Sequence, residues 1–336
     1  MLLYGLAIAS AALKGNALGT RIESVPVQCA ASRPDSLDLA EHQERLLEVH
    51  GACLSVLDFG GSGPLLVFLP GYGNSAHVFD DLAPTFIDRY RVVALTPRGV
   101  PPSGAPECCY TIAHLAADVA GVLDALQQSR AILAGHSISG AVITAFGQTY
   151  PQRLIAAIYL DASFDFRSAV RRSQQRSGVA PADSVTAAVR AWKYRYDNWS
   201  SRVRAADESD YRQRERLDTT DAARRAALVA PLATEVRSRA HEPWRVHSPI
   251  LALCAVGSYD RAFGWLTPDS TRWAAAKTVF DEAAREKRHE CRSVSRSHGR
   301  PVKAVELDSG HYVFFDQRDV VTREMRAFLA EVPAVR

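Results

Sequence analysis

The amino-acid sequence predicts an α/β protein, with one mostly parallel sheet of eight strands and helices on both faces. Short apolar runs of strand length alternate with helical patterns along most of the chain, which is typical of a parallel sheet. A Gly-containing break separates the first two runs, which indicates an antiparallel opening hairpin. One polar, arginine-rich tract interrupts this alternation.

Each strand candidate is a short apolar run bounded by turn-forming or polar residues. The runs are RLLEVHG, CLSVLDFG, LLVFLPG, RVVALTP, RAILAGHS, LIAAIYLDAS, PILALCAV and VKAVELDSG. Helical patterns occupy residues 78–89, 112–128, 139–150, 269–290 and 320–329.

The interrupting tract covers residues 166–244 and contains no strand-like run. Its charges are interspersed with aromatic residues, as in AWKYRYDNW, so we expect a helical insertion after the sixth strand. The core then consists of residues 44–165 and 245–331. Sites in α/β sheets lie at the carboxyl ends of the strands, so this insertion is predicted to be a cap above the site. The alternative is a plain solvated helical subdomain.

The stretch AILAGHSISGA places Ser137 between a strand and a helix. A serine at such a turn exposes its Oγ above the sheet, and small neighbours are needed because strand and helix pass close together. The common pattern is G-x-S-x-G, whereas this chain has Ser139 in the last position and Gly140 one residue later. Ser137 is the predicted nucleophile.

A serine nucleophile needs a base, and the base needs an acid that orients it. In this architecture the chain order is Ser, then Asp or Glu, then His. His311 follows the last strand in SGHYVF and is the predicted base. Asp260, just past the seventh strand, is the first choice of acid; Asp161, at the end of the sixth strand, is the alternative, and Asp165 is a weaker candidate.

Backbone amides are the predicted donors to a developing oxyanion. The segment LPGYGNS forms a glycine-bracketed turn after the third strand, in which the N–H of Tyr72 can point inward. The residue after the nucleophile, Ile138, supplies the second predicted donor.

These motifs resemble the α/β-hydrolase fold superfamily, with its serine esterases and proline iminopeptidase-like members. The resemblance covers about residues 44–329 and rests on LPGYGNS, ALTPRGVPPSG, AGHSISG, AVGSYD and SGHYVF. The chain departs from the superfamily at Pro70, where many members have histidine, and in TPRGVPPSG, where many have D-x-R-G-x-G-x-S.

The resemblance implies a serine hydrolase that cleaves a small or medium ester or amide through an acyl-enzyme, with a small-molecule substrate and no metal or organic cofactor. Epoxide hydrolases and haloalkane dehalogenases of this fold use an aspartate nucleophile, so a serine at position 137 disfavours those reactions. The alternative is a non-catalytic or weakly catalytic ligand-binding protein on the same fold.

The charge balance and the first residues bear on partners and location. The net charge is only +3 and the arginines are dispersed, so no nucleic-acid partner is expected.

Residues 1–19 contain an apolar run shorter than the ~20 residues of a bilayer span, and no stable membrane insertion is expected. The run resembles a signal peptide without its basic start, which predicts a secreted or periplasmic protein; the alternative is cytoplasmic.

The six cysteines are compatible with disulfides in an oxidising compartment. Cys29 with Cys53, and Cys108 and Cys109 with a distant partner, are candidate pairs. Cys254 lies in an apolar run and is expected to be a buried small hydrophobe. No cysteine spacing indicates a metal site.

Overall fold

The computed structural model describes residue 29 and residues 40–162, 165–168, 219–238, 242–258, 270–296 and 301–333. The strands in these ranges are β1 (Gln43–Val49), β2 (Ala52–Gly60), β3 (Leu65–Leu69), β4 (Arg91–Leu95), β5 (Ala131–His136), β6 (Leu154–Leu160), β7 (Ile250–Ala255) and β8 (Val302–Leu307). They form one eight-stranded sheet in the order β1-β2-β4-β3-β5-β6-β7-β8. β1, β2 and β4 pair antiparallel, and the remaining neighbours pair parallel. The predicted fold class and opening hairpin are confirmed.

The described helices are α1 (Ile112–Ala125), α2 (Ser139–Thr149), α3 (Thr219–Ser238), α4 (Ser270–Ser293), α5 (Val313–Asp316) and α6 (Arg318–Glu331). Four of the five predicted helical segments correspond to α1, α2, α4 and α6. The helix expected over residues 78–89 is wrong: that segment contains two short 3-10 turns, Ala76–Phe79 and Ala83–Phe86. Pro84 has no N–H to donate and its ring clashes with a preceding helical turn, so a continuous helix cannot form there.

The strands at the centre of the sheet are continuous apolar runs because helices cover both faces. In β3, Leu65, Val67 and Leu69 pack into one hydrophobic cluster with α1 and α2. Leu66 and Phe68 point to the opposite face, where α5 and α6 complete a second cluster. The two clusters pack the sheet between its helical layers, and the strand ends of this packed sheet position the candidate site.

The described part of the predicted insertion is helical, and the strands on either side of it are β6 and β7. Helix α3 buries Val229, Leu232 and Val236 in the cluster that contains α1. Glu235 accepts a hydrogen bond of 3.0 Å from the N–H of Ile112, at the start of α1. The end of the insertion is thereby anchored on the N-terminus of α1. Most of the predicted cap, including the aromatic-rich stretch, lies outside the described residues and stays a prediction.

Three disulfide bonds join Cys29 to Cys53, Cys108 to Cys109, and Cys254 to Cys291. The Cys29–Cys53 pair agrees with the sequence-based candidate. Two expectations are wrong: Cys254 is buried but bonded to Cys291, and Cys108 and Cys109 bond to each other. The Cys254–Cys291 bond ties β7 to α4, a tertiary proximity that sequence spacing does not reveal.

The predicted signal segment, residues 1–19, lies outside the described residues. Among the helices that the structure describes, none combines the length and apolarity needed to cross a bilayer. Within the same ranges, no group of three or more His, Cys, Asp or Glu side chains is arranged to hold a metal ion.

The Cys254–Cys291 bond is expected to be a major source of stability. It closes a 37-residue segment, for which the loss of unfolded-chain entropy amounts to about 4 kcal/mol. We expect the double variant Cys254→Ala, Cys291→Ala to lose up to about that free energy of unfolding, measured by denaturant titration. The matched control is Cys108→Ala, Cys109→Ala, which opens a bond between adjacent residues and should change the free energy of unfolding by less than about 1 kcal/mol. Equal losses in the two variants would contradict this account.

Candidate active site

Ser137 follows the last residue of β5 and precedes α2, with a left-handed backbone at φ 54°. The turn is tight on both sides. A Cβ at Gly135 would lie 2.7 Å from Cδ1 of Ile143, and one at Gly140 would lie 2.1 Å from the carbonyl oxygen of Ala162. Glycine is therefore required at position 140, where a backbone carbonyl is in the way, and a small residue is favoured at position 135.

The position of Gly140 explains why this chain departs from the common motif spacing. It is Gly140 that faces the backbone after β6, whereas Ser139 faces the loop after β3. The Ser139 hydroxyl donates a 2.5 Å hydrogen bond to the carbonyl oxygen of Pro70 and is buried. Ser139 thus ties α2 to that loop, and its hydroxyl is occupied.

His311 connects Ser137 to an acid, as predicted for the base. Its Nε2 lies 2.9 Å from Oγ of Ser137, and its Nδ1 lies 2.7 Å from Oδ2 of Asp161. An ionised carboxylate only accepts hydrogen bonds, so Nδ1 carries the proton and Nε2 accepts from the serine hydroxyl. This is the tautomer in which an imidazole can take the proton of a serine.

The acid beside His311 is Asp161, the alternative in the sequence prediction, and not the first choice. Asp260 lies outside the described residues, and the Nδ1 position predicted for it is occupied by Asp161. Both aspartates follow strands that end at the same edge of the sheet, so chain order alone did not separate them. Asp165 forms an ion pair with Arg167 at the start of the insertion.

The backbone around Asp161 directs its carboxylate toward His311. Asp161 has φ 48°, a left-handed conformation that Asp tolerates better than most residues. Its N–H donates to the carbonyl oxygen of Leu253 at 2.7 Å, and its Oδ1 accepts from the N–H of Ala255 at 2.9 Å. The first bond holds the backbone of Asp161 and the second holds Oδ1, so Oδ2 faces His311.

Lys287 on α4 makes a second contact with the acid. Its Nζ donates to Oδ2 of Asp161 at 2.9 Å, the same oxygen that accepts from His311. Burial alone would raise the pKa of Asp161, whose carboxyl group is only 1% exposed, but Lys287 and His311 outweigh it and hold that pKa well below its usual range. The carboxylate stays ionised throughout the neutral and mildly acidic range.

His136, next to Ser137, is buried and contacts His311. Its Nε2 donates to the carbonyl oxygen of His311 at 3.1 Å, and the centroids of the two imidazole rings are 4.5 Å apart. Nδ1 of His136 has no hydrogen-bond partner among the described residues. Burial, and then the neighbouring His311, holds the pKa of His136 well below its usual range, so this ring is neutral. Its contact with the site is the hydrogen bond to the backbone of His311.

Two further contacts hold the loops on either side of Ser137. Oδ2 of Asp316 accepts a 2.6 Å hydrogen bond from the N–H of Gly310, which fixes the loop that holds His311. The hydroxyl of Tyr312 donates to Oδ1 of Asn74 at 3.0 Å and joins this loop to the one after β3. The base and the glycine-bracketed turn are therefore positioned together.

The two predicted oxyanion donors belong to segments that adjoin the serine. A Cβ at Gly71 would lie 3.3 Å from Cβ of Ser137, so the loop that contains Tyr72 lies directly against Ser137. Ile138 is the N-cap of α2, and its N–H is one of the amides that a helix leaves without an internal partner. Within the described ranges, neither amide donates to a protein acceptor.

Sequence reasoning missed Lys287, His136, Asp316 and Asn74. His136 and Asn74 stand within the quoted motifs, and their proximity to Ser137 and to the glycine turn was an available signal. Lys287 lies in the run REKRHE, which reads as a solvated helix face, and no local pattern marks it. Its role depends on the packing of α4 against the strand ends.

A family model described as the alpha/beta hydrolase fold matches residues 64–214. Among curated proteins, the 2-(acetamidomethylene)succinate hydrolase of Mesorhizobium japonicum is 33% identical over 101 residues, 30% of this chain and 36% of that protein. Epoxide hydrolase A of Mycobacterium tuberculosis is 33% identical over 104 residues, 30% of this chain and 32% of that protein. The chain thus matches about a third of the length of these relatives.

Solved structures share the fold over most of the chain. An E-2-(acetamidomethylene)succinate hydrolase has a TM-score of 0.59 at 21% identity and covers 86% of this chain and 100% of its own. Carboxylesterase CesB of Bacillus subtilis has a TM-score of 0.53 at 16% identity, with coverages of 88% and 93%. At these identities the likeness establishes the fold alone.

Gly140 offers a direct test of the close contact behind Ser137. We expect Gly140→Ala to lower the free energy of unfolding by about 3 kcal/mol or more, because the added methyl group meets the backbone carbonyl of Ala162, which cannot rotate away. The control is Gly147→Ala on the same helix, where the nearest atoms belong to the side chains of Leu154 and Val246 and the cost should be smaller. Denaturant titration of both variants measures the difference, and equal costs would contradict the contact.

Proposed function

Because the chain belongs to the α/β-hydrolase fold superfamily, we propose that it is a serine hydrolase that cleaves a small or medium ester or amide through an acyl-enzyme. The observation behind this proposal is the hydrogen-bonded series Ser137, His311 and Asp161. It supplies a nucleophile, a base in the required tautomer, and an ionised acid that orients the base.

In the first half of the proposed reaction, Nε2 of His311 accepts the proton of Ser137 as Oγ attacks the substrate carbonyl carbon. The Asp161 carboxylate stabilises the imidazolium that forms. His311 then gives the proton to the leaving oxygen or nitrogen, and the bond from the carbonyl carbon to the leaving group breaks. The product of this half-reaction is an ester of Ser137.

In the second half, His311 takes a proton from water as the water oxygen attacks the ester carbon. The bond to Oγ of Ser137 breaks, Oγ recovers a proton from His311, and the carboxylic acid leaves. In both halves the N–H groups of Tyr72 and Ile138 are proposed to bind the oxyanion. Their place against Ser137, and their lack of other protein acceptors within the described ranges, support that role.

The residue at the turn distinguishes the proposed ester or amide hydrolysis from the reaction of the epoxide hydrolases among the relatives. That chemistry uses an aspartate nucleophile on this fold, and the turn here presents Ser137. Carboxylic ester and amide bonds suit a serine with a histidine base. The three cysteine pairs further support a secreted or periplasmic enzyme, since disulfides persist in oxidising compartments.

A fluorophosphonate probe tests the nucleophile. We expect the wild-type protein to be labelled at Ser137 and to hydrolyse an aryl ester, and Ser137→Ala to lose labelling and at least about 10³-fold in kcat/KM. Ser139→Ala is the matched control, because the Ser139 hydroxyl is occupied by the carbonyl oxygen of Pro70; it should retain labelling.

Labelling lost in Ser139→Ala but kept in Ser137→Ala would overturn the assignment. A wild-type protein that resists the probe and hydrolyses no ester or amide would favour the alternative, a ligand-binding protein on the same fold.

A pair of aspartate variants tests the acid. Asp161→Asn should lower kcat/KM by about 10³- to 10⁴-fold, because an amide neither stabilises the imidazolium nor enforces the Nδ1–H tautomer. Asp260→Asn should stay within about threefold of the wild type, since the Nδ1 position is filled by Asp161. Steady-state hydrolysis of the same aryl ester measures both. The reverse ranking would restore Asp260 as the acid.

A further inference from the structure

The acid of the proposed triad accepts hydrogen bonds from two side chains on a single oxygen. Oδ2 of Asp161 lies 2.7 Å from Nδ1 of His311 and 2.9 Å from Nζ of Lys287. The Lys287 side chain is 20% exposed, and the carboxylate is 1% exposed. Lys287 therefore places a mostly buried ammonium group beside the carboxylate that contacts His311.

The fold holds Lys287 in place through a covalent link. Lys287 and Cys291 are four residues apart on α4, so they lie on one face of the helix. Cys291 is bonded to Cys254 of β7, and the next residue of β7, Ala255, donates its N–H to Oδ1 of Asp161. Both the lysine and the backbone donor of the acid thus come from elements joined by one disulfide.

Lys287 and His311 are the two groups that lower the pKa of Asp161 against the effect of its burial. His136 at the end of β5 is buried and neutral. β7 contributes the N–H of Ala255, and Asp316, after β8, accepts from the N–H of Gly310. With Lys287 present, the carboxylate charge is shared between the ammonium and the imidazolium that forms on His311.

We propose that Lys287 is a positioning residue that fixes the Asp161 carboxylate beside His311 and is coupled to this pair through its charge. This inference rests on the proposed function. It implies that a variant without the ammonium differs from the wild type in the interaction between Asp161 and His311, and not only in folding.

Nuclear magnetic resonance measures this effect without any turnover. We expect Lys287→Met to raise the midpoint of the His311 imidazole titration by about one pH unit, with the His311 signals identified by their loss in His311→Gln. Lys287→Arg, which keeps the charge, should restore most of the wild-type midpoint. The control is Lys277→Met on the same helix, which removes an exposed lysine paired with Asp281 and should leave the midpoint unchanged.

Lys287→Gln separates charge from geometry, since it keeps a hydrogen-bond donor but not the cation. It should shift the midpoint as Lys287→Met does, and it serves as the comparison if Lys287→Met fails to fold. A midpoint that stays within about 0.2 pH units of the wild type in both Met and Gln variants would overturn the inference.

The rate of fluorophosphonate labelling against pH separates this inference from the proposed function. If the inference holds, the acid limb of the labelling rate moves upward in Lys287→Met by the same amount as the titration midpoint. A labelled wild type with unmoved midpoints would refute the role of Lys287 alone. An unlabelled wild type whose midpoints still move would refute the hydrolase proposal and leave the electrostatic coupling established.

Discussion

The arrangement of the candidate site depends on one buried carboxylate. Asp161 accepts from the N–H of Ala255 on one oxygen and from His311 and Lys287 on the other. A buried carboxylate is tolerated only when such donors compensate for the loss of water. Each donor belongs to a different element, so the stability of this one charge requires the ends of β6, β7 and β8 and the helix α4 to meet at a fixed point.

The walls of the site are coupled to one another as well as to the acid. Tyr312 joins the His311 loop to Asn74, and Ser139 joins the helix behind the nucleophile to Pro70. A displacement of the turn after β3 would therefore also move His311 and Ser137. In the proposed reaction, preorganisation of this kind would let the backbone amides of Tyr72 and Ile138 bind the developing charge without rearranging first.

Local features of the sequence predicted Ser137 and His311, because a strand-to-helix turn and a strand end are visible in short motifs. Which aspartate lies beside His311 depends on contacts between residues far apart in the sequence. Asp161 and Asp260 have equivalent places in the pattern, and the choice follows from the left-handed backbone at Asp161 and its bonds to β7. No local pattern marks Lys287 for the same reason. The helix expected over residues 78–89 is absent because Pro84 interrupts it.

The chain order of the contacts to Asp161 has a consequence for how the molecule assembles. Its partners lie 94, 126 and 150 residues further along the chain, at Ala255, Lys287 and His311. While the protein is being synthesised, the carboxylate exists before any of these donors and must remain hydrated until the last third of the chain has emerged. The acid site is consequently completed late in folding, as expected for contacts of large sequence separation, and chains interrupted before β8 would lack the histidine altogether.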